Sequence, residues 1–184
     1  MKKRKRREKR RESEDKFEWL KSKLSKLSEF TELISSVGRN VHYNAHTWTP
    51  LKLITLMYWI DVYTKIIPKQ EWVKEYWYLD LLAGPGTNFI KEVDTIIIGS
   101  PFIAYFFARQ PFTRYIFIEL DKERANVLRS RIEKVGEPFS SRAKVCIGDC
   151  NEVIRGMKIT ADHFLAFIDC EGLDVHWKTA KRLL

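Results

Sequence analysis

A chain of 184 residues that is 45% apolar and 13% aromatic is long enough for one domain with a real core and hardly for two. No stretch approaches the roughly 18 uncharged apolar residues of a membrane span, and the basic start runs into more charge instead of a signal peptide's apolar segment. With three cysteines (Cys146, Cys150 and Cys170) in no even framework, the expectation is a cytoplasmic protein from a reducing compartment, with no membrane partner.

The net charge of +9 is concentrated at the start. Residues 1–16 hold ten Lys/Arg against four Asp/Glu, a net of +6 that leaves +3 for the rest. Like charges repel and cannot be buried together, so this stretch reads as a flexible basic arm. Its functional reading is phosphate neutralisation on a nucleic acid; the alternative is a tail that serves solubility alone.

A helical segment is expected over 17–75. Phe17, Leu20, Leu24, Leu27, Phe30 and Ile34 recur at spacings of three and four, the stripe of one amphipathic helix closed near Gly38. Thr49-Pro50 places a capping residue before a helix-opening proline, for a second helix running to about Ile67 and stopped by Pro68. His42 and His46 are four apart, but no third ligand lies within sequence reach, so no metal is expected.

The pattern changes over 76–184. "WYLDLLAG" reads as a buried strand running into a loop, and "GSPFIAYFFARQ" as a helix with Ser100 as its cap. Arg114–Asp121 is a second strand, followed by a helix closed by Gly136. Ala143–Asp149 is a third, followed by the short helix "CNEVIRGM", and His163–Gly172 contains a fourth. Strands alternating with helices predict an α/β fold, a mainly parallel sheet with helices on both faces.

Each of the four strands ends in an acid: Asp80, Glu119, Asp149 and Asp169. Ligands of open parallel sheets bind at the carboxyl ends of the strands, so the four acids share one candidate rim. The Gly84-Pro85-Gly86 loop lets the backbone approach a ligand that a Cβ would hold away. Asp80 can hold that loop or accept from a cation. Glu119 is placed for both hydroxyls of a ribose, Asp149 for the exocyclic amine of an adenine, and Asp169 for the reacting group. The loop lacks the Gly-Lys-Ser/Thr of a phosphate-binding loop, since Thr87-Asn88-Phe89 follows Gly86. Phe89 also stands where a dinucleotide fingerprint needs a small residue. A ligand without phosphate and with a cationic centre fits better, and S-adenosylmethionine is such a ligand.

Asp80-Leu81-Leu82-Ala83-Gly84-Pro85-Gly86 resembles the acid-x-x-x-Gly-x-Gly motif of class I methyltransferases. More closely, Trp48-Thr49, Lys52-Leu53, "YLDLLAGPG", "GSPFIAYFF", "FIELD", "GDCN" and "FIDCEGLDVHWKTAKRL" resemble, in order over 48–184, the three-Cys-motif partner proteins (TcmP). The resemblance implies a Rossmann-like methyltransferase fold, with Asp80, Ala83, Gly84, Gly86, Glu119, Asp149 and Cys150 holding S-adenosylmethionine and Asp169 as the catalytic residue. It also implies a partner with a three-cysteine motif, resembling radical enzymes that hold an iron–sulfur cluster.

Two departures stand out. Where the family has Asp-Pro after the fourth strand, this chain has Asp169-Cys170, which relaxes the backbone of an amine-accepting pocket. Cys170 as a nucleophile lacks an evident activating base, and Glu171 beside it would raise its pKa. Cys146 reads as core and Cys150 as a small loop residue. The chain also stops at Leu184, one helix past the fourth strand of a fold that has seven. The expectation is a fragment, or an apolar edge strand covered by a partner or a second copy. The readings are thus a methyltransferase acting on nucleic acid or a partner-bound substrate, or a cofactor-binding, nucleic-acid-associated partner module without strong activity.

Overall fold

A computed structural model describes residues 18–184 apart from 20 and 171, so the basic arm expected over 1–16 lies outside the described residues. Helical residues 21–28 (α1) and Thr31–Ser35 (α2) lead to a short strand, Tyr43–Ala45 (β1), and a long helix, Thr49–Ile66 (α3). Then come β2 (Tyr76–Asp80), β3 (Thr87–Ile90), β4 (Thr95–Ile98) and α4 (Ser100–Phe106). The rest alternates: β5 (Arg114–Glu119), α5 (Lys122–Val135), α6 (Phe139–Arg142), β6 (Ala143–Ile147), α7 (Cys150–Gly156), β7 (His163–Phe167) and α8 (Trp177–Arg182).

The four strands read from the apolar runs form one parallel sheet in the order β6-β5-β2-β7. Successive side chains of a strand face opposite ways, so each run feeds two cores. Tyr76 and Tyr78 of β2 join Tyr115 and Phe117 of β5 in a large cluster with Leu53 and Ile60 of α3, Phe102 of α4 and Leu128 of α5. Trp77 and Leu79 join Ile116, Ile118 and Ile154 of α7 on the other face. All five residues of β2 are buried, as a central strand covered on both sides requires. The architecture is α/β with a mainly parallel sheet.

Local structure departs from the sequence expectations in three places. The helix expected over 17–34 breaks at Glu29-Phe30. Phe30 leaves the helical path to stack on Phe106 at 4.0 Å, and the Thr31 hydroxyl reaches both Leu27 O and Ile96 O, so tertiary packing overrides one continuous stripe. The expected caps Thr49 and Ser100 are instead the first helical residues, behind Trp48 and Gly99, and neither helix has a side-chain cap bond. Finally, a second sheet of order β1-β3-β4 was not foreseen: β1 runs parallel to β3, and β3 pairs antiparallel with β4. The β-branched run Thr95-Ile96-Ile97-Ile98 after Asp94, whose φ is +46°, was its available signal. Through it the N-terminal segment is tied to the glycine loop's own strand.

β7 is an edge strand among the described residues, bonded to β2 alone and half-buried along its length. Beside it, Leu51, Leu56 and Trp59 of α3 and Leu165 and Ile168 border a largely apolar groove of about 640 Å³.

Candidate functional site

β2 delivers the chain to the loop Leu81–Gly86, which keeps sheet-like contacts on both sides: Leu81 N donates to Phe167 O at 3.2 Å and Ala83 N to Ile118 O at 2.9 Å. Gly84 and Gly86 have φ of +62° and +83°, a region that disfavours other residues. At Gly86 space is decisive as well. A Cβ there would lie 2.3 Å from Phe102 Cε2 and 3.1 Å from Leu128 Cδ1, because the loop lies directly on α4 and α5. At Gly84 the nearest atom to such a Cβ is Tyr43 Cβ at 4.0 Å, so this backbone faces open space.

Glu119, the last residue of β5, meets that loop. Its Oε2 accepts from Gly84 N at 2.8 Å and its Oε1 from Asp121 N at 2.9 Å. The carboxylate therefore fixes the glycine loop to the neighbouring strand end, while each oxygen keeps a further lone pair.

A second clamp comes from Arg131 of α5, whose side chain is fully buried and makes no ion pair among the described residues. Its Nη1 donates to Pro85 O at 2.7 Å and Thr87 Oγ1 at 2.8 Å. Nε reaches Val37 O, and Nη2 reaches Gly38 O and Val41 O, at 3.0 to 3.1 Å. Burial lowers its pKa to about 10, so it stays charged at neutral pH. A cation held by backbone carbonyls thus joins the glycine loop to residues 37–41. His42 completes the cluster: Nδ1 lies 2.8 Å from Thr87 Oγ1 and Nε2 2.7 Å from Arg39 O. Its pKa is lowered, first by burial and also by the Arg131 charge.

Asp80 lies beneath the loop, 1% exposed. It accepts from Tyr78 OH and Leu82 N, both at 3.4 Å, and from the Ser100 hydroxyl. Burial pushes its pKa up to about 7, and these hydrogen bonds only partly oppose the shift. Opposite the glycine loop, Asp169 follows β7, and Lys52 Nζ of α3 reaches its Oδ1 at 2.6 Å.

Between these groups lies a cavity of about 250 Å³. Of the residues singled out from sequence, Ala83, Gly84, Gly86, Glu119 and Asp169 line it. Asp80 does not reach its surface. Asp149 and Cys150 also lie outside its lining. The Asp149 carboxylate caps α7, accepting from Asn151 N at 2.7 Å, and that bond lowers its pKa. Cys150 is buried against the second core, where burial and Asp149 raise its thiol pKa. Cys146 packs at the margin of the same core and is raised by burial, and Cys170 is a half-buried free thiol.

His42 and His46 flank β1 rather than sharing a helix face; His46 stacks on Trp48 at 4.4 Å. No group of three or more metal-ligating side chains occurs among the described residues. No described helix is long and apolar enough to cross a membrane.

Sequence reasoning missed Lys52 as a wall of the cavity, along with Tyr43, Arg124 and Asp174. It also missed Arg131, whose signal was a charge beside the apolar stripe of Ala125, Leu128 and Ile132. No family model matches the chain, and no curated protein is similar to it.

Proposed function

We propose that the chain is a cytoplasmic, Rossmann-like protein of the class I methyltransferase type that binds S-adenosylmethionine and methylates a nucleic acid or a substrate presented by a partner. One observation carries this reading: a glycine loop leaving the central strand and a carboxylate leaving its neighbour meet at 2.8 Å beside one cavity. The strand order β6-β5-β2-β7 and the resemblance of residues 48–184 to three-Cys-motif partner proteins support it. The residues present fit the cofactor. Gly84 leaves its ligand side open, Glu119 keeps lone pairs for ribose hydroxyls, and no Gly-Lys-Ser/Thr phosphate cradle is there.

The cofactor would supply an electrophilic methyl group. The chain's own residues would hold and orient. Glu119 and the Gly84 backbone would hold the ribose end, and Asp169 would orient the acceptor or take its proton. Ala83 and Gly86 shape the wall, and Asp80 supports it from below. The cavity falls short of the roughly 300–1,000 Å³ usual for small-molecule sites. Parting of the Lys52–Asp169 pair, which borders it, would enlarge it.

A second reading, a cofactor-binding partner module without strong activity, is favoured by that same pair, which occupies the one acid assigned to chemistry. It is also favoured by Asp149 and Cys150 standing outside the cavity. Calorimetric titration of S-adenosylmethionine into the wild type and Glu119→Ala tests both. The expected result is micromolar binding that is lost in the variant while its thermal unfolding stays cooperative. No binding by folded wild type would remove the methyltransferase reading. Binding without turnover on any nucleic acid or partner would leave the module.

A further inference from the structure

On the far side of the sheet, α7 and α8 enclose a groove of about 380 Å³ lined by polar residues alone. Four cationic side chains border it, Arg155, Lys178, Lys181 and Arg182, against one acid, Glu152, which pairs with Arg155. Like charges gathered beside a groove raise the local potential, and a polyanion is the ligand that relieves it. We propose that this groove and the outer face of α8 hold a single-stranded nucleic acid, independently of the basic arm and of what the cavity binds.

The helix geometry sorts the contacts. Thr179 and Leu183 turn inward, Thr179 being 6% exposed, which leaves Trp177, Lys178 and Lys181 on the outer face. Trp177 is 72% exposed, one helical turn before Lys181. An exposed indole with an ammonium group one turn along the same helix face offers a base a stacking surface and the adjoining phosphates their counter-charge. The platform is anchored: Asn151 Oδ1 accepts from Thr179 Oγ1 at 2.6 Å and His176 N at 2.9 Å, and its Nδ2 donates to Asp174 O at 2.8 Å. Asp174 also lines the cavity. Two residues separate it from Trp177, a reach of about 11 Å at most, so α8 begins close to the cavity rim. An anionic lipid headgroup would meet the same cations, so the test includes vesicles.

The test is fluorescence anisotropy of labelled oligo-dT, oligo-rU and a dT–dA duplex with the full chain, arm intact, over a salt series. Wild type, Lys178→Ala/Lys181→Ala and Trp177→Ala are compared. Expected are an affinity at least about tenfold weaker for the double variant, with a salt slope smaller by about 1.4, and about tenfold weaker for Trp177→Ala on single strands but not on duplex. Which oligomer binds more tightly separates DNA from RNA. Affinities within about twofold of wild type in both variants would place all binding on the arm and overturn the proposal. Binding to phosphatidylserine/phosphatidylcholine vesicles in place of either oligonucleotide would overturn it too. Because the methyl donor is titrated separately, failure here leaves the cavity's reading standing, and failure there leaves this one.

Discussion

The two walls of the cavity are built in opposite ways. The wall formed by the glycine loop is pinned from three sides: Glu119 holds Gly84, Arg131 holds Pro85 and Thr87, and α4 packs against Gly86. Little on it can move without breaking a buried contact. The wall formed by the segment after β7 is half-exposed and, among the described residues, tethered by the Lys52–Asp169 ion pair and by Asn151 further on. The contrast teaches where adaptability resides. A preorganised wall suits a small ligand of constant shape, and a loosely tied one suits a larger partner that must enter and leave.

The sharpest way to break the comparison is to remove the buried cation. Arg131→Met would leave five acceptors that no longer share a donor, and should destabilise the fold by about 4 kcal/mol in urea denaturation. A loss under about 1 kcal/mol would mean the wall is not pinned as described. Gly86→Ala comes next. Positive φ and overlap with Phe102 together predict a loss of about 3 kcal/mol, against a few tenths for the unobstructed Gly156→Ala.

Asp80 gives the third test, through pH. Its folded pKa of about 7 lies above the ordinary carboxylate value. Between those two values the folded state therefore binds more protons than the unfolded one, so stability falls as pH rises through this window. Relative to Asp80→Asn, the wild type should lose roughly 2 to 3 kcal/mol between about pH 5 and about pH 8. A difference that is flat with pH, or that grows in the wild type's favour, would show that the loop's underside is wetter than the structure has it.

The smallest effect belongs to the looser wall. Lys52 and Asp169 are 40% and 26% exposed, so Lys52→Ala should change stability by less than about 1 kcal/mol. If the proposed cofactor site is real, the same variant should bind S-adenosylmethionine at least as tightly as wild type by calorimetry. Weaker binding would make Lys52 a ligand rather than a bar across the cavity.

Much of the stiff wall is legible in the amino-acid sequence. Tyr76–Asp80 and Arg114–Glu119 announce themselves as strands because covering both faces demands unbroken apolar runs. The glycine loop is legible because few backbones other than glycine's allow its turns. What the sequence by itself determined was therefore local: which segments are strands or helices, and that acids and glycines cluster at strand ends. Tertiary structure alone decided that Asp80 is sealed below the cavity, that Asp149 caps a helix, and that Lys52 crosses 117 residues of chain to reach Asp169. It also decided that Phe30 breaks a helix and that Tyr43–Ala45 adds a strand beside Thr87–Ile90. The reason is physical. Periodicity records which face of an element is dry, whereas the partners met on that face are set by the packing of distant elements, which no local pattern encodes.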